Sequence, residues 1–504
     1  MKGDGRCLKL FLALLILFLQ NVKGGEVGHN HSHSHSLKDA KVTVRCIARE
    51  RQALLAFKRG LVDEFNQLST WGSEAQKQDC CRWEGVYCSN QTGHVIQLDL
   101  GYSFPGKIFQ PDIFGYSFQG KMISPKLIEL QHLQYLDLTL IDFNGIQIPD
   151  FIGSLTNLRY LNLSFCQMVG QIPSSFRNLT QLQHLDLAYN WRLQAENLNW
   201  LPALSSLTYL DLSLINFNGS QIPDFIGSLT NLRNLSLSYC NLVGQIPSSF
   251  GNLTHLTDLD LSRNFNGSQI PNFIGSLTNL RNLRLSSCHF IGPIPSSFGN
   301  LMQLQNLHLS YNQLQPENLN CLPALSSLTD LDLSGNFNGS QIPDFIGSLT
   351  NLRNLRLSSC NLVGQIPSSF GNLTQLQHLD LSYNQLQLEN LNWLPALSSL
   401  TDLDLSRNNL SLPPPPTPIL STTLYKTNSS TSLAYVYLSD NHLTSSIFLW
   451  LSNYSLATLE LSNNNLSGFI PDFLGNMSSL EYLGLSDNQI EGANPNSFAR
   501  LCNL

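Results

Sequence analysis

Apolar positions recur with one spacing from about residue 130 to the last residue, as leucines in the order LxxLxxLxLxx followed by an asparagine or cysteine position. Three copies are nearly identical: LTNLRNLSLSYCNLVGQIPSSFGN from Leu229, LTNLRNLRLSSCHFIGPIPSSFGN from Leu277 and LTNLRNLRLSSCNLVGQIPSSFGN from Leu349. In the first of these, Leu232, Leu235 and Leu237 are expected to point inward, with Arg233, Asn234, Ser236, Ser238 and Tyr239 around them. The alternation predicts a short strand with one buried face. Leu242, Ile246 and Phe250 complete the core of the copy, while Gly244 and Pro247 shape its turns. Units of this kind bury their apolar faces only against their neighbours, so the pattern predicts a solenoid lined by one long parallel sheet.

The pattern is that of a leucine-rich-repeat solenoid, a β-rich α/β architecture with its sheet on the concave side. The position after LxLxx is asparagine at Asn190, Asn312, Asn336, Asn384, Asn441 and Asn488, where an amide can both donate to and accept from turn backbone. Cys166, Cys240, Cys288 and Cys360 take that place in four copies and read as inert core thiols. A higher-order unit of about 72 residues groups an FNGSQIP-type repeat, a VGQIPSSFGN-type repeat and an NLNWLPAL-type repeat. The last type lacks the GxIP turn and predicts a short helical turn with Trp200 or Trp393 packed inward.

The organisation along the chain follows. Lys2, Arg6 and Lys9 precede the apolar run 10–19, so residues 1–24 read as a secretory signal peptide. Residues 25–45 form a leader with His29, His31, His33 and His35, read as a disordered tail, although such tracts can bind metal. Residues 46–92 read as an N-terminal cap, 93–410 as solenoid, 411–429 as a Pro/Ser/Thr-rich irregular loop, and 430–504 as solenoid that ends without a C-terminal cap. Prolines 413–416 and 418 remove the donors a strand would need.

In the cap, Ala53, Leu54, Phe57 and Leu61 fall on one helical face, with Trp71, Trp83 and Val86 expected to seal the same edge. Cys46, Cys80, Cys81 and Cys88 are expected to form two bridges in an oxidising compartment. Joining adjacent Cys80 and Cys81 is strained, and Cys46–Cys80 with Cys81–Cys88 is the favoured pairing.

The strings CIARERQALLAFKRGL from Cys46 and DCCRWEGVYC from Asp79, with repeats carrying GxIP, resemble plant extracellular leucine-rich-repeat proteins, above all the kinase-less receptor-like proteins. The resemblance covers about Cys46 to Leu504. It implies an ectodomain that recognises an extracellular peptide or protein in immune or developmental signalling and works with a co-receptor kinase. It also implies secretion, or a plasma-membrane location if a membrane span follows. A secreted inhibitor of pathogen cell-wall hydrolases and a truncated, non-signalling decoy are the alternatives.

Composition narrows the partner. Charged residues are 12% and the net charge is −7, which argues against a phosphate-tracking groove and so against nucleic acid. No stretch after the signal approaches the ~20 apolar residues of a membrane span. The column between the two strand leucines includes Asp186, Asp211, Asp260, Arg284, His308, Asp332, Arg356, Asp380 and Asp404. Opposite charges on adjacent strands can pair there, each exposed pair contributing about 0–1 kcal/mol.

Neighbouring columns add Asp258, Arg281, Tyr311, Arg353, His378 and Tyr383, and Tyr and Arg are enriched at binding hot spots. The expected contact region is therefore about Asp258 to Tyr383. Sequons stand at Asn90, Asn162, Asn178, Asn218, Asn234, Asn252, Asn266, Asn338, Asn372, Asn409, Asn428, Asn453, Asn465 and Asn476. Asn162 and Asn234 fall on strands, where glycans would obstruct the N-terminal part of the sheet face.

Neither a cofactor nor a resident metal is expected, and catalysis finds no motif. His184 and His378 lie beside Asp186 and Asp380 in HLDL phrases, but each His is expected on a different face from its Asp.

Overall fold

The computed structural model describes residues 46–101, 118–315, 321–388, 391–411, 432–492, 495–501 and 503. The signal peptide, the His-rich leader, nearly all of the Pro/Ser/Thr-rich loop and the sequon at Asn428 lie outside the described residues.

Strands mostly of three residues centred on a repeat leucine, with Val436 in its place at Tyr435–Tyr437, pair in a single line that begins with Val86–Cys88 and ends with Tyr482–Gly484. The line holds seventeen strands. Its first pairing, Val86–Cys88 with Val95–Asp99, is antiparallel, and the rest are parallel. Equivalent leucines face one another in register, as in Leu210↔Leu235, Leu235↔Leu259 and Leu259↔Leu283. A one-residue slip would turn every leucine outward, so the register is held by burial itself. Across the long Pro-rich interval, Asp402–Asp404 pairs directly with Tyr435–Tyr437.

Opposite the sheet most repeats turn through a short 3-10 helix, as at Ser248–Asn252, whose entry is set by Pro247 at φ −62°; the repeat of strand Tyr435–Tyr437 uses the α-helix Ile447–Leu451 instead. Leu232, Leu235, Leu237, Leu242, Ile246 and Phe250 are all buried. Burying a side chain of this size contributes about 1.5–3 kcal/mol, which the repeats supply many times over. Ser238, expected among the outward positions, is buried as well. Its hydroxyl donates to Ser213 Oγ at 3.1 Å, and Ser310 to Ser286 and Ser358 to Ser334 do the same at 3.0 and 3.1 Å.

The asparagine position works as predicted, and Asn264, Asn408 and Asn464 occupy it too. Asn190 is fully buried; its Oδ1 accepts from Cys166 N and Met168 N, and its Nδ2 donates to Leu163 O and Leu187 O. Where cysteine replaces it, Sγ lies 3.1 Å from Leu138 O at Cys166 and 3.1 Å from Leu212 O at Cys240. Burial pushes the Cys288 thiol up to about 12 and that of Cys360 up to about 11, which leaves both protonated and inert. In the NLNWLPAL-type repeats the outer turn is the 3-10 helix Leu201–Ala203 or Leu394–Ala396. Trp200 packs edge-on against Phe176 and Trp393 against Phe370.

In the cap, α1 (Ala48–Lys58) buries Glu50, Ala53, Leu54 and Phe57. Leu61 is buried but not helical; it sits in the strand Leu61–Val62, paired antiparallel with Phe118–Gly120. The helix ends at Lys58, and the chain passes Met122 so closely at Gly60 that a Cβ there would come 2.7 Å from Met122 O. Trp71 and Trp83 stack at 5.2 Å, each indole N–H donating to a backbone carbonyl, Glu84 O and Lys77 O. Cys46 bonds to Cys80 and Cys81 to Cys88. Glu50, which the sequence pattern did not single out, accepts from Val95 N and contacts His94 Nδ1, both at 2.8 Å, so the helix is tied to the first sheet strands by a buried carboxylate.

Candidate functional site: the face of the parallel sheet

Side chains two residues apart on a strand share one face of the sheet. His184 and Asp186 therefore stand on the same face, as do His378 and Asp380, which corrects the expectation that each pair is split. Two imidazoles of the face, His378 and His308, pair with an aspartate of the next strand. His378 Nδ1 lies 2.8 Å from Asp402 Oδ2, and His308 Nε2 lies 3.0 Å from Asp330 Oδ1.

The acidic column has a structural task that the sequence reading did not assign. One carboxylate oxygen of each Asp accepts from the backbone two residues on: Asp211 from Ser213 N, Asp260 from Ser262 N, Asp332 from Ser334 N, Asp380 from Ser382 N and Asp404 from Ser406 N, all at 2.8 to 3.0 Å. This local bond steers the chain into the left-handed residue that follows, such as Leu214 (φ 63°), Arg263 (φ 57°) or Tyr383 (φ 55°). One oxygen of each of these aspartates is therefore committed to its own turn.

Pairing along the face is straight across between His378 and its register partner Asp402, and diagonal around Asp330. Arg356 Nη1 reaches Asp330 at 3.4 Å, so Asp330 sits between His308 and Arg356. Burial alone would raise Asp330, but the His308 hydrogen bond and the two cations hold it below the usual carboxylate range. Asp258 accepts from Thr257 Oγ1 at 2.7 Å and is hydrogen-bonded to Asn282 Nδ2. Arg281 and Arg353 are exposed, and Arg284 is half-buried. Tyr311 is 59% and Tyr383 52% exposed, the latter with Arg407 over its ring at 4.6 Å. Of the twelve residues singled out from sequence, eight stand on strands of the sheet, while Arg281 and Arg353 each precede a strand by one residue and Tyr311 and Tyr383 follow one in the turn.

The N-terminal part of the face carries an arrangement the sequence reading missed. Tyr135, Tyr160, His184 and Tyr209 open four successive strands and stack ring on ring at 4.0, 4.1 and 4.0 Å. The signal was present, an aromatic or His before LD or LN at each repeat, but it reads as a ladder only once register is known. Burial pushes His184 down to about 4, so the imidazole is neutral, and its Nε2 is buried with no hydrogen-bond partner among the described residues. Asn162 is buried beside this ladder with Oδ1 accepting from Ser164 N and Ser164 Oγ, which makes it the least accessible of the described sequons.

Two neighbouring carboxylates make this part of the face sensitive to pH. Burial pushes Asp211 up to about 6, against the hydrogen bonds from Ser213, and burial together with the Asp211 charge raises Asp186, its partner in register. A carboxyl raised by folding binds protons that the unfolded chain releases, so its stabilisation is complete below the ordinary carboxylate value and is lost as pH rises through about 6. Amides of Leu187 and Ser213 are expected to exchange more slowly, after correction for intrinsic rates, at pH 5 than at pH 7.5. Asp211→Asn should flatten that dependence, and an unchanged slope in the variant would place the titration elsewhere.

Comparison with known proteins gives the same picture. The Leucine-rich repeat region model matches residues 192–448, the Leucine rich repeat N-terminal domain model residues 47–89, and the Leucine rich repeat model residues 156–214 and 454–504. Receptor-like protein EIX1 of Solanum lycopersicum is 45% identical over 197 residues, covering 39% of this chain and 19% of that protein. Receptor-like protein 6 of Arabidopsis thaliana is 30% identical over 242 residues, 44% of this chain and 23% of that protein. The matches thus take in about a fifth of the length of these relatives.

Among solved structures, the Arabidopsis receptor kinase HAESA, in complex with the peptide hormone IDA and the co-receptor SERK1, superposes with a TM-score of 0.69 at 30% identity, covering 91% of this chain and 77% of that one. The plant peptide hormone receptor RGFR1, in complex with RGF2, gives 0.60 at 27%, covering 81% and 72%. Among the described residues no helix is long and apolar enough to cross a membrane. With the repeat region matched over half the chain and the cap model on the helix and Cys80, Cys81 and Cys88, the chain belongs to the leucine-rich-repeat family and is similar to plant receptor-like proteins.

Proposed function

We propose that this chain is the ligand-recognising part of an extracellular receptor-like protein, and that a peptide or protein lies across the sheet face between about Asp258 and Tyr383. The observation that carries the reading is the in-register sheet, which holds exposed Arg281, Arg353, Tyr311 and Tyr383 in fixed columns beside carboxylates already oriented by their own backbone. Side chains whose backbone is fixed before contact lose less freedom on binding. HAESA and RGFR1, which share this fold, were solved with peptide hormones, and that supports a peptide as the partner class.

In this reading residues 1–24 direct secretion, the cap spans 46–92, and recognition of the ligand is coupled to signalling by a co-receptor. The test is a titration of the secreted chain with a panel of synthetic extracellular peptides by fluorescence anisotropy. For any peptide bound by the native chain, joint reversal at Arg281, Arg284, Arg353 and Arg356 to glutamate is expected to weaken binding about a hundredfold or more. An unchanged Kd would remove this region from the interface.

A further inference from the structure

Two copies of the FNGSQIP repeat are one residue shorter than the other such copies. Leu210 to Leu235 spans 25 positions, whereas Leu259 to Leu283 and Leu331 to Leu355 span 24. In the longer copy Ile215 fills the core, Phe217 follows with ordinary backbone, and Asn218 and Gly219 take the left-handed turn. In the shorter copies the ladder asparagines Asn264 and Asn336 occupy the core position. The left-handed conformation then falls on Phe265 (φ 62°) and Phe337 (φ 60°), where a bulky side chain is an outlier.

The secondary parallel ladder beside the main sheet is reduced at these points to single backbone bonds, Phe265 N to Leu242 O at 2.7 Å and Phe337 N to Leu314 O at 3.4 Å. It forms pairs at Val169–Gln171 with Arg192–Gln194, Ile291–Pro293 with Gln313–Gln315, and Val363–Gln365 with Gln385–Gln387. In the gaps lie two open cavities of about 540 and 740 Å³, at equivalent places in the 72-residue unit. The first is lined by Tyr239, Val243, Phe265, Asn266 and His289, the second by Leu314, Phe337, Asn338, Asn361 and Tyr383.

Each cavity has the asparagine of an Asn-Gly-Ser sequon on its wall, exposed and presented differently from its counterpart in the longer copy. Asn218 Nδ2 is engaged by Glu196 Oε1 at 2.9 Å. Asn266 makes no side-chain hydrogen bond among the described residues. Asn338 uses its Oδ1, which accepts from Asn361 Nδ2 at 2.7 Å, and leaves its own amide nitrogen available.

We infer that Asn266 and Asn338 are N-glycosylated and that the first sugars of each glycan lie in the adjoining notch, filling the space opened by the deleted residue. The carbohydrate comes from a polyprenyl-diphosphate-linked oligosaccharide. Asn Nδ2 bonds to the anomeric carbon of the first N-acetylhexosamine, the amide loses one proton, and the polyprenyl diphosphate leaves. The cavities have the size of small-molecule pockets and the mixed lining a sugar needs: apolar surface at Val243 or Leu314 for ring C–H groups, and polar tips at His289 or Asn361 for the acetamido group and hydroxyls. The inference rests on the proposed extracellular role only in requiring a secreted chain.

The experiment uses the full chain secreted from plant cells with high-mannose glycans, treated with an endoglycosidase in the native state and followed site by site by glycopeptide mass spectrometry. Asn252 and Asn372, exposed at the ends of outer 3-10 helices, are the internal controls. Cleavage at Asn266 and Asn338 is expected to be about tenfold slower than at the controls, with the difference abolished by denaturation. Equal native rates, or empty Asn266 and Asn338 beside occupied controls, overturn the inference. Absence of glycan at all four sites overturns it together with the extracellular reading.

Discussion

Replacing Asn190 with alanine is expected to cost about 3–5 kcal/mol in the surrounding repeats, because five backbone hydrogen bonds, the weakest to Ala188 O at 3.4 Å, lose their partner in a place water does not reach. The amides of Cys166 and Met168 lose their acceptor, and the carbonyls of Leu163 and Leu187 lose their donor. Truncation also leaves a void where a fully buried amide stood. Repeat arrays need not unfold in one step, so the readout is local. Amide exchange at Cys166 and Met168 should rise by a factor of about a hundred or more, while repeats beyond Asn384 change little. Asn488→Ala, in a part-exposed position near the end of the array, should cost much less, since water can serve its Leu461 and Leu485 partners. Equal effects at the two sites would mean that the ladder owes its value to turn propensity and not to burial.

Removing the Cys46–Cys80 bridge by a double substitution to alanine is expected to destabilise the cap by about 2–4 kcal/mol, the scale set by closing a loop of this size in the unfolded chain. The bridge spans 34 residues that contain all of α1 and the start of the tryptophan pair. Without it, α1 is held by Ala53, Leu54, Phe57 and the Glu50 bonds to Val95 N and His94, while the exposed edge of the first repeat depends on that helix for cover. Limited proteolysis should cut within residues 46–80 of the variant at a temperature where the native chain is intact. Fluorescence of Trp71 and Trp83 should report loss of the cap before loss of the repeats. Coincident transitions for cap and repeats would show that the two are one cooperative unit.

Much of the architecture was legible because the physical constraint is local and repeated. Leu235 and its equivalents recur where a buried strand centre must stand, Asn190 and its equivalents recur where turn backbone needs an amide, and both were assigned from spacing. Leu61 continues the apolar spacing of the helix, but α1 stops at Lys58 and Leu61 pairs with Gly120 in a strand, a partner that no spacing within the segment reveals. Ser238 was placed outward because alternation does not reveal that serines of adjacent repeats satisfy one another once stacked.

The candidate site divides the same way. That Arg281 and Arg353 recur at one place in the repeat, and Tyr311 and Tyr383 at another, follows from its period. That the aspartates between the leucines cap their own turns, that Arg356 meets Asp330 and not a residue straight across, and that Tyr135, Tyr160, His184 and Tyr209 form one stack do not follow. Nor could the sequence show that a one-residue deletion before Asn266 and Asn338 opens a cavity instead of tightening a turn.

By itself the sequence determined the repeat, its buried leucine positions, the asparagine ladder and the class of scaffold, because each of these repeats a requirement that one coil imposes on itself. The tertiary structure decided the partners of the polar groups on the sheet face and the two notches beside it. Those depend on the offset between one coil and the next, and that offset is set by packing across strands and not by any pattern within one.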